Sequence, residues 1–386
     1  MPICTGNSNL FWATLLFPVA GIRLETFKDR ARNYKSTLGK TATSPLVILR
    51  LWSSCVLVHA TQYLRYIANP AHINEIQVEI NASIQHAMGC HNFPTPLLAD
   101  LGIPTMEYHR QLDLCRIHFR HTQTQCPKQT SEIYKFRQAS KLAVEPKDLE
   151  VDVLEACQHI FPAWQKGQPL PVPKHLYKTL PSNKEKSFAK YLRPLVSELW
   201  RQEIFQKASL DKESRLGAYT NLAAPDLCRK SLFHPAAYIL TDSRVSINAL
   251  IKLRTQHQKY VPTHDHLGRE SSMGGDRKQY RDRVCPYCGP PTVAGSEAHY
   301  LTTCTATSTI RNRPLRALKH VLHYLALDPW DTFTQEVHVQ LLCGSALPPE
   351  WKASAKKQRY SAANVLPHCA ITALQLHQYL KSRGAG

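Results

Sequence analysis

No apolar run in this sequence reaches the roughly 18 residues that a helix needs to cross a bilayer. The nearest approach, Pro45 to Leu64, is interrupted by Arg50, Ser53, Ser54, His59 and Gln62. No Lys or Arg precedes the short apolar stretch Leu10 to Gly21, and Pro18 lies inside it. A buried strand or a truncated remnant is expected there rather than a secretory signal. A Gly-x-Ser-x-Gly elbow is missing, and with it the usual support for a serine hydrolase. Gly39-Lys40-Thr41 imitates the end of a phosphate-binding loop, but Tyr34 stands where that loop needs its first glycine. No internal repeat is visible. Acidic residues are scarce: 29 Asp and Glu face 48 Lys and Arg, a formal net charge of +19 over 386 residues. Such an imbalance points to a polyanionic partner. Hydrophobic residues make up 43% of the chain, enough for a packed core, so disorder throughout is excluded.

The hydrophobic periodicity predicts a mostly α fold. Phe27, Ala31, Tyr34 and Leu38 recur at helical spacing between Arg23 and Lys40. Ser44 and Pro45 are a cap and first-turn proline opening an apolar helix to about Ala68. Ile73, Ile76, Ile80 and Ile84 mark the next helix, and Gly89 is its stop signal. A short helix is expected over 97–101. Another is expected over 106–119, with Arg110, Arg116 and His118 on its polar side. After a polar stretch comes a helix over 149–161, where Glu150 and Asp152 suggest a surface-like turn. Pro162, Pro169, Pro171, Pro173 and Pro181 then suggest a stiff linker. Helices over 184–210, 242–253, 315–325, 332–343 and 362–381 complete the pattern. The expected organisation is an unassigned segment 1–22, a helical domain 23–122 and a linker region 123–183 with one helix. A basic helical region 184–330 and C-terminal helices 331–386 follow.

Twelve cysteines are present, yet Cys4, Cys55, Cys90, Cys115, Cys126, Cys157, Cys228, Cys343 and Cys369 are scattered singly. That pattern suits reduced, buried thiols in an intracellular protein. Only Cys285, Cys288 and Cys304 cluster. With His299 they read C-x2-C-x10-H-x4-C. Two thiolates two residues apart hold one metal from a tight turn, and Gly289 supplies the backbone freedom after the second. On one helix His299 and Cys304 would stand about 140° apart around the axis. The helix must therefore end between them, so that Cys304 curls back. Three thiolates and an imidazole make a soft tetrahedral set suited to Zn²⁺. All four positions come from protein, which predicts one structural zinc per chain and no open position for a catalytic water. His264 and His266 are the rival ligands.

Basic residues crowd both sides of this motif. Lys252, Arg254, Lys259, Arg269, Arg277, Lys278, Arg281 and Arg283 precede it, and Arg311, Arg313, Arg316 and Lys319 follow. Cationic groups flanking a rigid metal unit suit the phosphate backbone of RNA or DNA. The candidate contacts are Lys252, Arg254, Lys259, Arg269, Arg277, Lys278, Arg281, Arg283 and Arg313. Tyr260, Tyr280 and Tyr300 are candidates for stacking on bases. The competing expectation is a zinc-stapled helical module that binds protein rather than nucleic acid.

The stretch from Ala249 to His257, Gly268-Arg269, Arg283 to Gly289 and Glu297 to Cys304 resembles the C-terminal zinc-binding region of non-LTR (LINE-type) retrotransposon reverse transcriptases. Phe27 to Gly39, the apolar helix from Ser44, and Thr95 to Pro104 followed by Glu107, Tyr108 and Arg110 are similar to the thumb helices of that family. The resemblance covers most of residues 22 to 325. It implies a thumb that grips a template–primer duplex and a zinc unit that holds RNA or target DNA. The family's aromatic-Ala-Asp-Asp metal-binding turn is absent, and Ala99-Asp100 is followed by Leu101 on an expected helix. The expectation is therefore a fragment or remnant of such an enzyme, without polymerase or endonuclease activity of its own.

Overall fold

The computed structural model of the chain describes residues 25, 27–29, 31–33, 44–64, 70–88, 94–123, 149–166, 168–173, 176, 181–210, 215–229, 231–240, 244–254, 285, 288, 297–324, 332–345 and 355–384. They are mostly α-helical, and no strand occurs among them. The helices are α1 (Pro45–Trp52), α2 (Val58–Leu64), α3 (Pro70–Met88), α4 (Pro94–Leu101), α5 (Met106–Gln123), α6 (Leu149–Ile160), α7 (Pro181–Leu210), α8 (Arg215–Leu227), α9 (Arg244–Arg254), α10 (Glu297–Thr302), α11 (Ser308–Tyr324), α12 (Gln335–Leu342) and α13 (Ala355–Gly384). One π turn, Ser53–Leu57, joins α1 to α2. The single apolar helix expected from Ser44 is thus wound wider in its middle. No helix among the described residues is long and apolar enough to cross a membrane.

The chain divides into two compact units that interleave in sequence. One comprises Met1–Lys40, Arg50–Ile84 and Pro104–Trp200; the other Thr41–Leu49, Gln85–Ile103 and Arg201–Gly386. This differs from the linear succession of domains expected from composition. The Pro-rich stretch after α6 is not an open linker: Trp164, Leu170, Val172 and Leu176 are all buried. The Trp164 indole donates to the Gln168 carbonyl at 2.8 Å. Proline removed helix hydrogen bonding there, but the apolar side chains between the prolines still found a core. Segment 1–22 lies outside the described residues.

In the first unit, Ile73, Ile76, Ile80 and Ile84 of α3 are all buried, as their spacing predicts. The Trp52 indole donates to Ser83 Oγ at 3.0 Å. Phe119 of α5 stacks on Phe188 of α7 with ring centroids 4.0 Å apart. Two polar expectations fail here. Asp152 does not lie on an exposed turn, and Arg110 is not on a solvated face. Both are buried, and they pair at 2.5 Å between α6 and α5. Cys115 and Cys157 meet between the same helices with sulfurs 3.5 Å apart. No disulfide joins the described cysteines.

In the second unit, α13 packs against both α9 and α11, α8 packs against α12 and α4, and α10 packs against α12. Two helices end in the same way. The Ile103 amide donates to Leu98 O and the Gly102 amide to Ala99 O; the Ser345 amide donates to Gln340 O and the Gly344 amide to Leu341 O. Both are Schellman turns, and both glycines have φ of +73°. A Cβ on Gly102 would lie 2.4 Å from the His234 carbonyl carbon, so this turn admits only glycine.

These turns present Asp100 and Ser345 to the guanidinium of Arg254, at the end of α9. Its Nε and Nη2 donate to the two Asp100 oxygens at 3.1 Å each, and Nη2 donates also to Asp226 at 2.7 Å. Nη1 donates to the Cys343 carbonyl at 3.1 Å and to Ser345 Oγ at 3.0 Å. All five guanidinium N–H groups are therefore used. Tyr219 and Tyr238 donate to Asp100 at 2.9 and 2.6 Å. Arg254 and Asp100 are 0% exposed and Asp226 2%. Burial works against the Arg254 charge, but Asp100 and Asp226 outweigh it and hold the group firmly cationic.

Candidate metal centre and basic surface

α10 ends at Thr302, two residues before Cys304. The amides of Thr303 and Cys304 both donate to the His299 carbonyl, at 3.0 and 2.8 Å. Cys304 then takes an extended conformation, φ −61° and ψ 122°, ahead of the 3-10 turn Thr305–Thr307. That reversal brings its sulfur back toward the imidazole one helical turn earlier. The helix ends where the ligand spacing requires it to.

The four side chains expected as ligands come together. Ligand atoms of Cys285, Cys288, His299 and Cys304 all lie within 4.8 Å of one another. The sulfurs of Cys285 and Cys304 are 3.9 Å apart, and Cys288 Sγ is 3.3 Å from His299 Nε2. Cys285, His299 and Cys304 are buried, and Cys288 is half-buried. The group can hold a metal ion. His264 and His266, the rivals, lie outside the described residues.

Second-layer groups support the cluster. His299 Nδ1 lies 2.9 Å from Thr303 Oγ1, a hydrogen bond that orients the ring and in which Nδ1–H would be the donor once Nε2 holds a metal. Burial, then the charge of Arg311, lowers the His299 pKa and favours the neutral imidazole that a metal requires. In the absence of a cation, burial and the neighbouring Cys285 and Cys304 sulfurs push the Cys288 thiol up to about 11. The Thr307 hydroxyl donates to the carbonyls of Tyr300 and Cys304 at 2.6 and 3.3 Å. Arg311 Nη1 also donates to the Cys304 carbonyl. These bonds tie α11 directly to the ligand loop. Thr303 and Thr307 escaped sequence reading because a threonine near a ligand carries no signal until its hydroxyl is placed.

The basic residues fare unequally. Arg254 must be withdrawn as a phosphate contact, because every donor it has is sealed inside the Asp100–Asp226 network. Lys252 is half-buried on α9, and Arg313 is exposed on α11. Lys259, Arg269, Arg277, Lys278, Arg281 and Arg283 lie outside the described residues. So do Tyr260 and Tyr280, while Tyr300 is buried against the metal cluster and cannot stack on a base. Comparison with protein-family models, with curated proteins and with solved structures found no match.

Proposed function

We propose that this protein binds nucleic acid through a basic surface organised around one structural Zn²⁺, held by Cys285, Cys288, His299 and Cys304. The observation that carries the reading is the closed Cys3His cluster. Its donors are soft, and all four are supplied by protein. Tetrahedral zinc with bonds of about 2.3 Å to sulfur and 2.0 Å to nitrogen separates its ligand atoms by roughly 3.5–3.8 Å. The 3.9 and 3.3 Å separations lie close to that. The metal would supply rigidity only, because no fifth group is needed to complete it.

A nucleic-acid partner is favoured by the net charge of +19 and by the cationic residues on either side of the cluster. The chain would be related to the thumb and zinc segment of non-LTR retrotransposon reverse transcriptases, without polymerase chemistry of its own. In keeping with this, the buried carboxylates Asp100 and Asp226 are committed to Arg254. They are sealed from the solvent through which a catalytic Mg²⁺ and its substrate would arrive.

The test has two parts. Metal analysis of the purified chain should give one zinc equivalent, lost in Cys288→Ser. Binding to duplex DNA and to RNA should weaken linearly in log affinity against log salt. Four or five phosphate contacts give a slope of roughly −4 on duplex DNA and a shallower one on single strands. Zinc near zero under reducing conditions, or a flat salt response, rejects the reading in favour of a protein-binding module.

A further inference from the structure

α11 presents one face to the core and another to solvent, and the two differ sharply in chemistry. Pro314, Leu318, Val321 and Leu322 are buried, and the helix packs on α13. The exposed face carries Arg313, Arg316, Lys319, His320 and His323, with Thr309 and Asn312 leading into it. The helix, Ser308–Tyr324, contains no Asp or Glu at all. Residues 309, 313, 316, 320 and 323 follow the three-and-four spacing of a single helical stripe. From Arg313 to His323 the stripe runs about 15 Å at 1.5 Å per residue. One strand of a duplex presents about four phosphates over that length.

Neither Arg313 nor Arg316 forms an ion pair among the described residues. Arg316 Nε makes only a long contact, 3.4 Å, to the Asn312 carbonyl of its own helix. The nearest charge effect of Arg313 is repulsive: after burial, its cation is what lowers the pKa of His368 on α13. A cation beside another titratable base, with no carboxylate pairing it among the described residues, is poised for an anion from outside. The face lacks the large apolar side chains by which an interfacial helix enters a lipid surface.

We infer that the exposed face of α11, formed by Arg313, Arg316, Lys319, His320 and His323, is a docking surface for a phosphodiester backbone, aimed by the metal centre. The aiming follows from the bonds already described. Cys304 is both a ligand and the residue whose carbonyl receives Arg311 and Thr307. The stripe therefore begins two residues beyond a side chain fixed to the ligand loop. This inference rests on the nucleic-acid reading above and, with Arg254 withdrawn, extends the contact expected at Arg313 to the whole exposed face of α11.

The experiment uses the full, zinc-loaded chain with duplex DNA and single-stranded RNA as separate probes over a salt series. Arg313→Gln with Arg316→Gln should flatten the duplex slope by roughly 1.8 and the RNA slope by roughly 1.4. It should weaken all sequences alike, because phosphate contacts carry no sequence information. Loss on one probe only would identify that nucleic acid as the source of the backbone. Arg313→Lys with Arg316→Lys should restore most of the slope, and both variants should keep one zinc and the parent melting temperature. If the parent chain binds neither probe, the nucleic-acid reading itself falls. If the parent binds and the glutamine variant keeps both slope and affinity, the reading stands and the α11 surface is rejected. An equal loss of binding to phosphatidylserine vesicles with nucleic-acid binding intact rejects it as well.

Discussion

Two buried polar clusters in the second unit are built on opposite plans. The four candidate metal ligands fall within residues 285–304, and the sulfurs 3.9 Å apart are 19 positions apart in sequence. Arg254 gathers partners from positions 28, 89, 91 and 154 residues away. The first cluster is drawn from one short segment and could hold an ion from outside. The second is assembled by the fold itself and completed within the chain. A local cluster leaves a spacing that can be read along the sequence; a dispersed one leaves isolated residues that look like surface charges.

The comparison breaks most severely at Arg254. Arg254→Leu leaves Asp100 and Asp226 buried without their cation, and removing one partner of such a network costs about 3–5 kcal/mol. The expected outcome is a large drop in the urea midpoint, or failure to fold. Replacing Arg254 and both carboxylates together by apolar residues should recover much of that loss, because the desolvation cost of the charges disappears with them. A loss of under about 1 kcal/mol in Arg254→Leu would mean that the network is a bystander.

At the metal cluster the corresponding change is smaller, since Thr303 touches the cluster only through the imidazole. Thr303→Val removes the acceptor for His299 Nδ1–H while keeping the shape. Zinc affinity should fall about tenfold, near 1.4 kcal/mol, with the stoichiometry still one per chain. Competition with a chelator measures this. Unchanged affinity would show that the His299 ring is held by packing alone.

The smallest effect belongs to Asp226. Burial, opposed by Arg254, raises its pKa above the usual carboxylate value. A raised folded-state pKa means that its contribution to stability is fully present below the unfolded-state value, near 3.8. That contribution is lost as pH rises through the folded-state value. Asp226→Asn removes this titration and retains an acceptor for Arg254. The cost should be about 1 kcal/mol at neutral pH, with a flatter stability profile above pH 4. A cost equal to that of Arg254→Leu would show that both carboxylates are needed in charged form.

Helix periodicity proved the most readable feature. The isoleucine row of α3 and Leu318, Val321 and Leu322 of α11 are buried where a 3.6-residue repeat puts them, while Leu315 is half-buried. The end expected for the short helix at Leu101 is where the structure puts it, with Gly102 supplying the left-handed residue after it, while the expected stop at Gly89 lies outside the described residues. Domain boundaries were not. Prolines after α6 resemble those of a linker, yet Trp164 and Leu170 pack into the core. The π turn inside the apolar helix from Ser44 had no proline or glycine to announce it.

The metal cluster and the Arg254 network mark the limit between local and global information. Ligand spacing, the need to stop α10 before Cys304 and the soft character of the donors are properties of one short segment. They follow from covalent geometry and helix pitch, so the sequence alone determined them. The fate of Arg254 depended on two aspartates and two tyrosines whose nearness is not written in any local pattern. Arg254 stands in a basic stretch and looks like a phosphate contact until α4, α8 and α9 meet. Only tertiary packing decided which cations are spent inside the protein and which, like Arg313 and Arg316, remain on its surface. The physical reason is that a charge is assigned by its surroundings, and those surroundings are brought together only when the chain folds.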